Sequence, residues 1–334
     1  MQTKRRIHPL RPSRLQKKIM IEGRVIKNTG SAYIVKTEEN EEFPCRIKGN
    51  FRIKGIRTTN PVAVGDMVKI EKASDDAFYI KQILPRKNYI IRRASNLSKE
   101  SHILAANIDQ ALLIASIFNP ETPSTFIDRF LATAEAYSIP AIIVFNKDDL
   151  WTPEIREYAL EQKEMYEKIG YPVVFTSATT GDGISKLSEI VKGKISLLAG
   201  NSGVGKSSLI NALIPGVELK TGEVSDVHHT GTHTTTFSEM LPLPDGGELI
   251  DIPGVKGFGM IEFQPSEVSH YFPEIFKIGE RCRYGDCRHT GEPGCAVDEA
   301  IANGEISPSR FASYLSILEE VTAAKGDDKY RKPF

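Results

Sequence analysis

One octapeptide constrains this chain more than any other stretch: Gly200-Asn201-Ser202-Gly203-Val204-Gly205-Lys206-Ser207, with Ser208 directly after it. An apolar run at 195–199 precedes it and reads as a buried strand, and 206–213 follows with the apolar spacing of a helix. Strand, glycine-rich turn of G-x-x-x-x-G-K-[ST] spacing, then helix is the context in which such a turn cradles phosphate. The glycines let backbone N–H groups wrap the anion without Cβ clashes. The helix N-terminus adds partial positive charge. Lys206 then reaches the β- and γ-phosphates, and the Ser207 hydroxyl ligates Mg²⁺.

The neighbouring sequence has the matching architecture. Strands at 111–118, 141–145, 173–176 and 195–199 alternate with helices at 125–137, 153–169, 184–191 and 206–213. Strands this apolar are buried on both faces, which predicts a parallel sheet covered by helices.

Asn146-Lys147-Asp148-Asp149 follows the strand 141–145 and fits N-K-x-D. Guanine presents N1–H and N2–H₂ donors on one edge, and the Asp149 carboxylate can accept both, whereas adenine has an acceptor at N1. A site built for that pair rejects the analogue that leaves its polar group unpaired. Asn146 and Lys147 are expected to pack around the base and tie their loop to the phosphate loop. Thr176-Ser177-Ala178 ends another strand, where the backbone of Ser177 and Ala178 would meet the guanine oxygen. Asp251-Ile252-Pro253-Gly254 ends the strand 248–250; Asp251 would hold Mg²⁺ and the Gly254 N–H would sense the γ-phosphate. In Gly231-Thr232-His233-Thr234-Thr235-Thr236, either Thr234 or Thr235 is placed to complete the Mg²⁺ shell from a switch loop. Many GTPases carry a water-orienting glutamine after D-x-x-G, but this chain has Val255, so His233 is the candidate catalytic group beside Lys206.

These motifs occur in permuted order: N-K-x-D and S-A precede the phosphate loop, and D-x-x-G follows it. The site needs loop positions at one sheet edge rather than a given connectivity, so the order is physically allowed. It also makes the segment after Asp251 run straight into the C-terminal region. There Cys282, Cys287, His289 and Cys295 form C-x₄-C-x-H-x₅-C within fourteen residues, the donor set of a closed, structural Zn²⁺ site. Cys45 stands alone and reads as a small buried hydrophobe.

Upstream, five short β-like runs at 20–27, 32–37, 42–47, 67–73 and 78–84 are separated by turn residues. A small barrel fits them, the five-stranded oligonucleotide-binding (OB) fold first and an SH3-like barrel second. Residues 1–100 carry 23 Lys and Arg against 10 Asp and Glu, whereas the rest carries 20 against 33, so a neutral total hides a basic N-terminal third. That charge is the footprint of a part that meets a phosphate backbone. No apolar run reaches membrane-spanning length. The acid-free start lacks the apolar block of a secretory signal, and an organellar transit peptide is the weaker reading because it is Ser-poor. Cytoplasm is the expected compartment.

With these residues in place, the chain resembles the ribosome small-subunit-dependent GTPase A family over about residues 20–320, through the permuted order, the H-T-T-T switch and the Cys-Cys-His-Cys cluster taken together. The resemblance implies a late assembly factor of the small ribosomal subunit that binds its rRNA and hydrolyses GTP to GDP faster on the subunit. The expected organisation is a basic arm (1–18), an OB-fold RNA-binding barrel (19–90), a circularly permuted α/β P-loop GTPase domain (100–262), a mostly helical zinc-binding domain (263–325) and a tail (326–334). The expected partners are the small subunit, its rRNA and guanine nucleotide, with no membrane and a monomeric chain. Two other readings compete: a GTP-gated binder of another RNA or translation factor, and a metal-delivery GTPase. A closed four-ligand cluster argues against delivery.

Overall fold

The structure is a computed structural model that describes residues 20–30, 32–47, 61–73, 75–93, 101–219, 239–251 and 263–328. The arm 1–18, the switch residues His233, Thr234 and Thr235, and Gly254 and Val255 lie outside the described residues.

The N-terminal strands are β1 (Met20–Asn28), β2 (Tyr33–Lys36), β3 (Glu42–Ile47), β4 (Met67–Lys72) and β5 (Phe78–Ile83). They run in the order β1-β2-β3-β5-β4, and β4 pairs back onto β1. The β3–β5 pair is parallel while the other neighbours are antiparallel. That closure is a Greek-key OB barrel rather than an SH3-like one. Alternate residues Val25, Val35, Cys45, Val68, Ile70 and Ile80 fill its interior. Cys45 is 1% exposed, and burial pushes its thiol up to about 12, in keeping with a core hydrophobe. At Gly23 an added Cβ would sit 2.7 Å from Val35 and 2.8 Å from the Lys36 carbonyl, so the close crossing of β1 over β2 requires glycine there.

Next comes a hairpin that the sequence reading did not anticipate, β6 (Tyr89–Arg93) with β7 (Ser101–Ala106). The central sheet contains β8 (Gln110–Ala115), β9 (Ala141–Asn146), β10 (Val173–Thr176), β11 (Ile195–Ala199), β12 (Glu239–Pro242) and β13 (Glu248–Asp251) in the order β10-β9-β8-β11-β13-β12. Its pairs are parallel except β12–β13, so the expected parallel sheet gains an antiparallel edge. In β8, Ala111, Leu113 and Ala115 join one core and Leu112 and Ile114 the other. This period-two division explains why the strand reads as continuously apolar. Helices α1 (Ser124–Ala136) and α2 (Pro153–Ile169) contribute Phe130, Leu131 and Tyr166 to the first core. α3 (Ile184–Val191) and α4 (Lys206–Leu213) contribute Leu187, Leu209 and Leu213 to the second.

The C-terminal region is helical, with α5 (Pro273–Gly279), α6 (Ala296–Ala302) and α7 (Pro308–Asp328). Its core of Phe272, Ile275, Val297, Tyr314 and Ile317 also takes in Ala132 of α1, so this region is packed onto the central sheet's own helix.

Candidate nucleotide and metal sites

Because β8, β9, β10, β11 and β13 are parallel, the loops that leave them emerge at one edge of the sheet. Four sequence motifs separated along the chain therefore meet there: 200–208 after β11, 146–149 after β9, 177–178 after β10 and Asp251 at the end of β13. This carboxyl edge is where open α/β sheets hold ligands.

The glycine-rich turn has positive φ at Gly200 (+151°), Gly203 (+82°) and Gly205 (+94°). A Cβ at Gly200 would collide with the Ile114 carbonyl, and one at Gly205 with the Asn146 amide. Val204 is fully buried and anchors the turn in the core beneath it. Lys206 opens α4, and its ammonium donates to the carbonyls of Gly200 (2.8 Å) and Asn201 (2.9 Å). Burial lowers the Lys206 pKa and the nearby Asp251 carboxylate opposes that shift. Asp251 is the counterpart: burial raises its carboxyl pKa and Lys206 acts against the rise. Asp251 Oδ1 is buried without a hydrogen-bond partner.

Asn146 is the hub of the edge. Its Nδ2 donates to the Val204 carbonyl (2.9 Å), and its Oδ1 accepts from Thr176 Oγ1 (3.1 Å) and the Ala178 N–H (3.3 Å). One side chain thus ties three loops together while itself 1% exposed. Ser177 Oγ donates to Asp149 Oδ1 at 2.6 Å, which orients a carboxylate that otherwise faces solvent. Lys147 is left-handed at φ +69°, and its ammonium reaches the Asn119 carbonyl at 2.6 Å. Asp148 is raised by burial, with Arg156 opposing.

The sequence reading missed the loop after β8. Ser116 and Thr122 close it, the Ser116 N–H donating to Thr122 Oγ1 (3.0 Å) and the Thr122 N–H to the Ser116 carbonyl (2.8 Å). It carries Asn119 to Lys147 and places Pro120 3.4 Å from where a Gly203 Cβ would lie. The Asn119-Pro120 turn dipeptide at a strand's carboxyl end was the available signal.

In the C-terminal region the ligand atoms of Cys282, Cys287, His289 and Cys295 all lie within 4.8 Å of one another. His289 Nδ1 sits 3.6 Å from Cys282 Sγ and 3.4 Å from Cys295 Sγ. A tetrahedral centre with bonds of about 2.0–2.3 Å has ligand-to-ligand edges of roughly 3.4–3.8 Å, so these donors can hold a metal ion. Burial pushes the Cys287 thiol up to about 12 and lowers the His289 pKa; a bound cation reverses that logic for the thiols.

The sequence profile of the RsgA GTPase family matches residues 83–261, and that of the RsgA N-terminal domain matches residues 22–80. The chain belongs to the RsgA GTPase family. Among its relatives, the small ribosomal subunit biogenesis GTPase RsgA of Porphyromonas gingivalis is 58% identical over 315 residues, covering 93% of this chain and 100% of the relative. The protein of the same name from Bacteroides fragilis is 54% identical over 314 residues, 94% of this chain and 100% of its own. A crystal structure of YjeQ from Thermotoga maritima superposes with a TM-score of 0.75 at 35% identity, over 91% of this chain and 99% of that one. YloQ, a circularly permuted GTPase, gives a TM-score of 0.71 at 28% identity, over 94% of this chain and 98% of its own. This RsgA-family chain is accordingly a GTPase with permuted motifs. Among the described residues no helix is long and apolar enough to cross a membrane.

Proposed function

We propose that this GTPase is a late assembly factor of the small ribosomal subunit, gripping rRNA in its GTP state and leaving after hydrolysis. The observation that carries the reading is 58% identity, over the whole length of the relative, to a protein named for small-subunit biogenesis. The basic N-terminal third supports the RNA half: 23 cationic against 10 acidic residues in 1–100, with Arg46 exposed on β3 of an OB barrel. Cytoplasm and a monomeric chain complete the reading.

At the nucleotide, the N–H groups of 200–208 cradle the phosphates, and Lys206 leaves its own loop carbonyls for the β- and γ-phosphates. The second oxygen of Asp149 and the one already held by Ser177 accept the two guanine donors. Asn146, Lys147 and Asp148 shape the base pocket, and the Ser177–Ala178 backbone meets the base oxygen. Ser207 and Asp251 offer the hard oxygen donors that Mg²⁺ takes, and the orphaned, buried Asp251 Oδ1 fits a cation. When bound, that ion spreads the charge that builds on the phosphate oxygens. Thr234 or Thr235 would complete its shell, the Gly254 N–H would donate to the γ-phosphate, and His233 would position the attacking water, since the Val255 side chain has no hydrogen-bonding group. Cys282, Cys287, His289 and Cys295 hold Zn²⁺ in a structural role: three thiolates and an imidazole close the shell and leave no position for substrate.

Sedimentation with purified small subunits tests the reading. More protein should travel with the subunit in a non-hydrolysable GTP analogue than in GDP, and hydrolysis should accelerate when subunits are added. Absence from the subunit in both nucleotides would reject the assignment.

A further inference from the structure

The GTPase sheet and the barrel are one continuous sheet at a single joint. Lys27 of β1 is the register partner of Glu239 of β12, and Glu239 is the register partner of Asp251 of β13. Asp251 in turn lies opposite Leu198 of β11, two residues before the phosphate loop begins. Lys27, Glu239, Asp251 and Leu198 therefore occupy one row across four strands. With strands about 4.8 Å apart, the barrel's Lys27 backbone sits roughly 10 Å from that of Asp251.

The ladder at this joint is short: one register pair and an ion pair from Lys27 Nζ to Glu239 Oε1 at 3.0 Å, with the two side chains 32% and 44% exposed, backed by Ile26 of β1, which packs against the core that includes Met240 and Ile250. Beside it lies a cleft lined by Lys27, Lys36, Glu42, Glu239 and Glu248 together with the apolar Ile26, Ile34, Met240 and Pro242. A half-exposed ion pair contributes little to stability, so here its consequence is register. The barrel has a second attachment through the 64–65 stretch: Ala106 N–H donates to the Val64 carbonyl at 2.9 Å, and Asn107 Nδ2 to the Gly65 carbonyl at 3.0 Å. Gly65, at φ +91°, approaches the Ala106 backbone so closely that no Cβ fits. The barrel thus meets the rest of the chain at the 64–65 contact and at the Lys27–Glu239 pair.

We infer that the Lys27–Glu239 pair is the joint through which the nucleotide state sets the barrel's orientation, with both acting as positioning residues. Glu239 is the first residue of a four-residue strand whose partner strand ends in Asp251. A change in how Asp251 is held moves β13's end, β12 follows by its ladder, and β1 follows by the ion pair. The effect is reciprocal by linkage: a barrel seated on a phosphate backbone restrains the Asp251 row. The inference rests on the reading that the barrel meets RNA only for that reciprocal arm.

The test uses the full-length protein with paired distance labels at exposed Glu39 in the barrel and Glu157 on α2, introduced through a non-canonical amino acid so that the cysteines stay intact. Wild type should show different distance distributions in GDP and in a non-hydrolysable GTP analogue. Lys27→Glu and Glu239→Lys should each erase the difference while nucleotide affinity and basal hydrolysis stay within about two-fold, and the double swap should restore it. In parallel, the ratio of subunit affinities in the two nucleotides should drop roughly 5-fold or more in the single variants and recover in the swap. Identical wild-type distributions in both nucleotides, or single variants that keep the difference, would overturn the joint. A label distance that responds to nucleotide in a protein that never binds the subunit would support the joint and reject the ribosomal reading.

Discussion

Arg310 of α7 donates through Nη1 to Oδ1 of Asp128 of α1 at 2.8 Å, and neither side chain is exposed to solvent. The same guanidinium holds Glu274 through Nε at 2.7 Å and Nη2 at 3.2 Å and lies 4.7 Å above the Phe272 ring. Tyr166 of α2 donates to the same Asp128 oxygen at 2.9 Å. The C-terminal helical region is therefore clamped to the two helices on one face of the GTPase sheet by buried charge as well as by the shared apolar core. A segment held this way is fixed to the helix it packs on by buried charge and apolar contact together.

Replacing Arg310 with Leu should leave Asp128 and Glu274 buried without a counter-charge. Breaking such a pair from one side costs about 3–5 kcal/mol. Thermal unfolding should shift down clearly, and hydrogen exchange along α7 should speed up. An unchanged melting temperature would show that water or rearrangement satisfies both carboxylates.

Asp149→Asn should weaken GTP binding strongly and turn preference toward xanthine nucleotides, whose extra carbonyl accepts from the new amide. Competition of labelled GTP by XTP measures it. Ser177 can still donate to the amide oxygen, so the loop is expected to keep its shape. Unaltered nucleotide preference would remove Asp149 from base recognition.

Asn146→Ala should lower GTP affinity beyond any base contact it removes, because it frees the Val204 carbonyl, Thr176 hydroxyl and Ala178 N–H at once. Leaving buried polar groups unpaired costs about 1–3 kcal/mol each, so the fall should be 10-fold or more by roughly that arithmetic. Equilibrium titration with a fluorescent GDP derivative would read it, and an unchanged dissociation constant would contradict the hub.

Elemental analysis of protein purified without added metal should find one zinc per chain, as the four-ligand cluster predicts. Cys287→Ala should lose the metal and loosen the C-terminal region, yet largely spare nucleotide binding. Full zinc retention in that variant would strike Cys287 from the ligand set.

His233→Ala should bind GTP normally but lose the acceleration that the subunit brings. Single-turnover hydrolysis with and without subunits separates the two steps. Turnover that still accelerates would leave His233 without a catalytic role.

Local signals determined much of this protein. The bounds read for helices 153–169, 184–191 and 206–213 and strands 173–176 and 195–199 coincide with α2, α3, α4, β10 and β11. Each of these segments announces by its own period which faces must be buried. The barrel strands were legible for the same reason, and the parallel sheet explains why motifs scattered from Asn146 to Asp251 reach one edge. Other features were invisible because they depend on partners far along the chain. β12 is four residues long, ends in Pro242 and has no period to read; its identity comes from pairing with β13 and with Lys27, 212 residues away. The hairpin of β6 and β7 earns its shape from packing against the 61–66 stretch, as at Val64 and Ala105. Arg310 and Asp128, 182 residues apart, each look in sequence like one more surface charge on a helix. Only the packing of α7 on α1 removes both from water and makes them need one another, and such long-range desolvation leaves no trace in local composition.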